Sequence, residues 1–111
     1  QCNAAESTLR FRVGWKHINY FHNTLRMVIE IIASAGYLNS TIFVNDHNLG
    51  TYDLRRTRIE IPLTLLRPLG LIDMVMQHDF ASPDASAQIN SASVESGFTL
   101  TMLRYMCYQQ A

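Results

Sequence analysis

His47, Arg58 and Glu60 are the residue types of ribonuclease chemistry: a base, a cation for phosphate and an acid. Their spacing matches no signature, so RNA cleavage is an alternative reading rather than the leading one. His17 and His22 lie five residues apart, about 140° around a helix, and would not share a metal as an i, i+4 pair does. The chain has no Cys-x-x-Cys and no His-x-x-x-His, so the sequence predicts neither a metal site nor a cofactor. Asp46 and Asn48 lie in Asn45-Asp46-His47-Asn48-Leu49-Gly50, which lacks the closing Glu of a calcium loop and reads as a turn. A Gly-x-Ser-x-Gly elbow and a phosphate-binding glycine loop are both absent. No catalytic residue is expected.

Arg55-Arg56-Thr57-Arg58 is the densest basic cluster. On a strand, Arg56 and Arg58 share one face, and Arg10 and Arg12 join them if the first strand is a neighbour. That patch would hold an anionic partner. A zero net charge and a pI near 7.1 fall short of a nucleic-acid footprint. Asn39-Ser40-Thr41 is a glycosylation sequon. Cys2 and Cys107, at opposite ends, are expected to pair as a disulfide. Such a bond implies an oxidising compartment, and hence a secreted or extracytoplasmic protein.

The 111 residues fit a single domain over 1–111, and 48% apolar content is enough to fill its core. Only 16% of residues are charged, against about 25% in typical domains. Weak self-repulsion suits a subunit of an assembly. No apolar run approaches the roughly 18 residues of a membrane span, so no membrane insertion is expected.

These groups need elements to position them. Leu9, Phe11, Val13 and Trp15 alternate with Arg10, Arg12 and Gly14, the period of a half-buried strand. Phe21, Leu25, Val28, Ile32 and Ala35 recur at spacings of 4, 3, 4 and 3, which predicts a helix over 16–35 ending at Gly36. Strands are expected at 41–44 and 59–65, with Pro62 marking either an edge strand or the start of a new one after a break, then at 71–77 and 98–108. The Ala- and Ser-rich stretch 81–93 reads as a long loop. Residues 51–54 would return as the hairpin partner of 41–44. The expected core contains Phe11, Val13, Trp15, Phe21, Leu25, Val28, Ile32, Phe43, Ile59, Ile61, Val75 and Leu100.

The expected fold is therefore α+β, with one long helix packed across an antiparallel sheet of about five to six strands. In element order this resembles cystatin-like domains and small secreted ribonuclease-like proteins. The Gln-x-Val-x-Gly hairpin of cystatins is missing, so protease inhibition is not implied. Leu65–Ile72 also resembles the end of a recognition helix running into a wing, which makes a nucleic-acid-binding winged helix another alternative. The leading expectation is a non-enzymatic domain for protein interaction or self-assembly, secreted or part of an extracellular or viral-type assembly.

Overall fold

The computed structural model describes residues 5–14, 18–19, 23–55, 57–96, 99–102 and 105–108. Ten strands run in chain order: β1 (Glu6–Arg12), β2 (Ile18–Asn19), β3 (Thr24–Ala33), β4 (Tyr37–Val44), β5 (His47–Tyr52), β6 (Thr57–Pro62), β7 (Leu71–Phe80), β8 (Ala87–Ser96), β9 (Thr99–Met102) and β10 (Tyr105–Tyr108). Two single 3-10 turns, Leu63–Leu65 and Pro68–Gly70, join β6 to β7. Among the described residues there is no α-helix.

The strands form two antiparallel sheets. The first has the order β10-β1-β7-β4-β5, and the second runs β2-β3-β8-β9, with β6 on β3. Inward residues alternate along each strand: Leu9 and Phe11 on β1, Ile72, Met74 and Met76 on β7, Ile42 and Val44 on β4. Leu25, Met27, Ile29 and Ile31 answer them from β3, and Ile59 and Ile61 from β6. All belong to one buried cluster shared by both sheets. The architecture is a sandwich of two sheets rather than a helix on a sheet.

Residues 24–33 of the segment expected to be a helix are β3. Its apolar residues carry two periods at once. Leu25, Met27, Ile29 and Ile31 repeat every second position and are buried; Val28 and Ile32 lie on the opposite face, and Ile32 is 54% exposed. Apolar residues on both faces of a strand also generate spacings of three and four. The β-branched run Val28, Ile29, Ile31, Ile32 favours the extended form, and pairing with both β6 and β8 secures it. Ile32 is thus a surface residue, contrary to its place in the expected core. Phe11, Leu25, Ile59 and Ile61 are buried as expected; Val13, Val28, Phe43 and Val75 are half-buried. Trp15 and Phe21 lie outside the described residues, as does the side chain of Leu100.

Other expectations change with the helix. Residues 87–93 of the supposed loop belong to β8, which is held between β3 and β9. Their small size admits close packing, and Ala87, Ala92 and Ser93 are buried. The single strand expected over 98–108 is two strands in different sheets. With no α-helix among the described residues, neither the winged helix nor the likeness to helix-on-sheet families is supported. No disulfide is found among the described residues. Cys107 pairs in register with Ser7, and Cys2 lies outside the described residues.

The turns are tightly specified. Val44 pairs with His47, leaving Asn45 and Asp46 as a two-residue loop with positive φ at both positions (46° and 70°). That is the type I′ geometry Asn and Asp tolerate. β5 therefore returns at once, over 47–52 rather than 51–54. Asn45 is buried and also pins the β6–β7 connection. Its Nδ2 donates to the carbonyls of Leu65 (2.6 Å) and Leu71 (3.2 Å), and its Oδ1 accepts from Asp73 N–H (2.8 Å). Gly70 has φ +70° and exchanges the β1–β7 ladder onward, accepting from Val13 N–H at 3.0 Å.

Candidate functional site

Three inward positions of the first sheet carry polar groups where its other inward positions carry apolar ones. Ser7 continues the parity of Leu9 and Phe11, Ser40 that of Ile42 and Val44, and His78 that of Met74 and Met76. Ser40 pairs directly with His78, and Ser7 pairs with Met76, one step diagonal to it. The side chains meet as a consequence. His78 Nε2 lies 2.9 Å from Ser7 Oγ, and Nδ1 lies 2.6 Å from Ser40 Oγ. Ser40 Oγ continues to Tyr37 Oη at 2.9 Å, and Tyr37 Oη accepts the N–H of Leu54 at 3.0 Å. This chain of bonds ties β1, β7 and β4 to the segment after β5.

A serine beside a histidine is the pair from which nucleophilic hydrolysis is built. Here it is sealed. Ser7 and Ser40 have no exposed surface and His78 has 5%. No carboxylate bonds the ring, since both nitrogens face hydroxyls. The aromatic rings of Tyr37 and Phe80 flank His78 at 6.4 and 6.2 Å between centroids. Arg55, paired with Asp53, covers the outer face of Tyr37 at 5.8 Å. No substrate reaches the serines, so the cluster is a buried fastening of the first sheet.

Its chemistry does set a pH dependence. A neutral imidazole offers one donor and one acceptor, and each hydroxyl rotates to complement it. Burial disfavours the charged ring and lowers the His78 pKa; the Asp79 charge opposes this. With the folded pKa below the unfolded value near 6.5, the unfolded chain takes the proton first. The His78 contribution is therefore complete above about pH 6.5 and is lost as pH falls from there towards the folded pKa. Thermal melts across this range are expected to show Tm falling with acidity. His78→Gln, which keeps a donor and an acceptor, is expected to flatten that slope; an unchanged slope would remove His78 as its source.

The described members of the expected anionic-partner patch are divided between the two sheets. Arg10 and Arg12 lie on the outer face of the first sheet, where Arg10 Nε contacts Asp73 at 2.6 Å. Arg58 lies on the second sheet and reaches Glu95 at 3.1 Å. Arg56 lies outside the described residues. The nuclease set is divided in the same way. His47 is exposed at the start of β5, while Glu60 sits on β6 and pairs with Arg26 at 3.0 Å. His17 and His22 lie outside the described residues. Asn39 of the sequon stands on β4 beside the irregularity between Tyr37 and Asn39; its Oδ1 is enclosed without a partner, and Ser40 of the same triplet is the buried His78 ligand.

An open depression of about 300 Å³ on the first sheet is lined by Glu6, Thr8, Arg10, Asp46, Asp73 and Val75. Arg67 reaches Asp46 at 2.9 Å and Asp73 at 3.8 Å, so its carboxylates are partly neutralised by intramolecular pairs. Among the described residues no group of His, Cys, Asp or Glu is arranged to hold a metal, and no helix is long and apolar enough to cross a membrane. Sequence reasoning missed the Ser7–His78–Ser40 cluster, although the strand parity that marked Met74 and Met76 as inward marks His78 too. Comparison with family models, curated proteins and solved structures finds no match to this chain.

Proposed function

We propose that this chain is a non-enzymatic interaction domain that works by binding protein through the edges of its sheets. The observation that supports this is topological. Among the described residues both sheets are open, with β5 and β10 at the margins of the first, and β2, β6 and β9 at those of the second. An open edge offers backbone donors and acceptors to another chain, the basis of recognition by strand addition. The acid–base groups, by contrast, are divided between sheets, held in ion pairs or sealed in the core.

The test is direct. Purified protein is incubated with labelled single-stranded RNA and with chromogenic esters, from acidic to neutral pH. No turnover above buffer is expected. RNA cleavage that disappears in His47→Ala or Glu60→Ala would overturn the reading in favour of a nuclease.

A further inference from the structure

The edges differ. β5 carries a bulge between its pairings with Ile42 and Phe43, and its own side chains hold two of its backbone groups. Asn48 Oδ1 accepts from Gly50 N–H at 2.7 Å, and Tyr52 O–H donates to the Leu49 carbonyl at 2.9 Å. Bulges and self-bonding blunt an edge against strange strands. β6 is regular from Thr57 to Pro62, with no such bulge in its pairing.

The phase of the β6 ladder shows which backbone groups are free. Leu63 N–H donates to Asn23 C=O at 3.0 Å, in the same register that pairs Thr24 with Pro62. Antiparallel pairs alternate between bonded and non-bonded. Ile61, Ile59 and Thr57 therefore bond to β3, while Arg58, Glu60 and Pro62 turn their backbone groups to the open side. Pro62, which has no N–H to offer, falls on the open side as this phase requires. Neither the Arg58 nor the Glu60 backbone bonds a side chain elsewhere in the described structure.

The side chains of the same two residues lie on the outer face with opposite charge. Glu95, Arg26 and Glu60 form one cross-strand row of alternating sign that ends acidic at the edge. The adjacent row, Ser93, Val28 and Arg58, ends basic. An edge reading Arg58, Ile59, Glu60 is complementary to itself when run antiparallel about Ile59. Arg58 then faces Glu60 of a second copy, and Glu60 faces its Arg58. Both open-side N–H groups and both carbonyls find partners. Sliding by two residues sets Arg58 against Arg58 or Glu60 against Glu60, and like charges directly opposite are unfavourable. Sliding by one breaks the bonding phase.

We propose that two copies of this chain join antiparallel through β6 about Ile59, making the second sheet continuous across both. The proposal rests on the interaction-domain reading and names its partner. The joined edge is short, so the dimer dissociates on dilution.

Sedimentation velocity over a dilution series tests it, with wild type, Arg58→Glu, Glu60→Arg, an equimolar mixture of those two variants, and Glu60→Pro. Thermal melts confirm that each variant is folded. Wild type is expected to dimerise with rising concentration. Each charge reversal sets two like-charged pairs face to face and weakens the dimer by about tenfold or more. The mixture recovers association, because an all-acidic edge meets an all-basic one. Glu60→Pro removes an open-side N–H, leaves every bond to β3 and is expected to be monomeric. A wild type that stays monomeric at every concentration overturns the proposal. A dimer indifferent to these variants overturns the β6 edge while leaving the interaction reading in place; that reading falls instead by the RNA assay.

Discussion

Ile29→Asp is expected to unfold the chain, and Ile32→Asp to leave it folded. The two positions are three apart on β3 and chemically alike, yet Ile29 has no exposed surface and Ile32 is 54% exposed. At position 29 a carboxylate would sit between the sheets, among apolar residues such as Met27 and Ile31. An unpaired buried charge costs on the order of 5 kcal/mol, comparable to the whole stability of many domains. At position 32 the carboxylate faces water, and the loss is about 1 kcal/mol from reduced burial and strand propensity. Far-ultraviolet circular dichroism with urea titration checks both. A folded Ile29→Asp would refute the inward face of β3, and an unfolded Ile32→Asp would restore a helical face.

Gly70→Ala is expected to be the most damaging small change. Gly70 sits at φ +70°, where an L side chain is disfavoured, and an added Cβ would fall well inside contact distance of the Val13 carbonyl oxygen. That oxygen is backbone, and Val13 is tied to Gly70 by its N–H, so neither side can yield without opening the end of the β1–β7 ladder. Left-handed strain of about 1–2 kcal/mol and the lost contact together come to about 3 kcal/mol. The urea midpoint is expected to drop by about 1–3 M. Gly14→Ala serves as the control, since nothing lies within 4 Å of the added atom. Equal midpoints for the two variants would show that the Val13 approach carries no cost.

The parts of the fold legible in the sequence were those with one apolar face. β1, β6 as far as Pro62 and the start of β7 alternate cleanly, although the alternation expected to carry the strand on to Leu65 instead runs into a 3-10 turn at Leu63–Leu65. β3 was misread because Val28 and Ile32 put apolar side chains on the outer face, so two periodicities coexist and only pairing with β6 and β8 decides between them. β8 was misread because Ala and Ser signal a loop when exposed, but permit close approach when a strand lies between two others. The charged patch failed for a related reason. Parity places Arg10 and Arg58 on outward faces but does not say which sheet each belongs to. The Ser7–His78–Ser40 cluster was within reach, because its three members keep the parity of their apolar neighbours.

The order β10-β1-β7-β4-β5 has a kinetic consequence. β1 is an interior strand of its sheet, yet its neighbours begin at Leu71 and Tyr105. Hairpins such as β4–β5, closed by two residues, can form in microseconds, whereas β1 must close loops spanning most of the chain before its contacts repay the entropy. Non-local sandwiches of this kind fold in milliseconds to seconds. Until β7 has been synthesised, Leu9 and Phe11 have no sheet to join. The interval in which the nascent chain is exposed to aggregation is thus set by the ribosome's passage from β1 to β7.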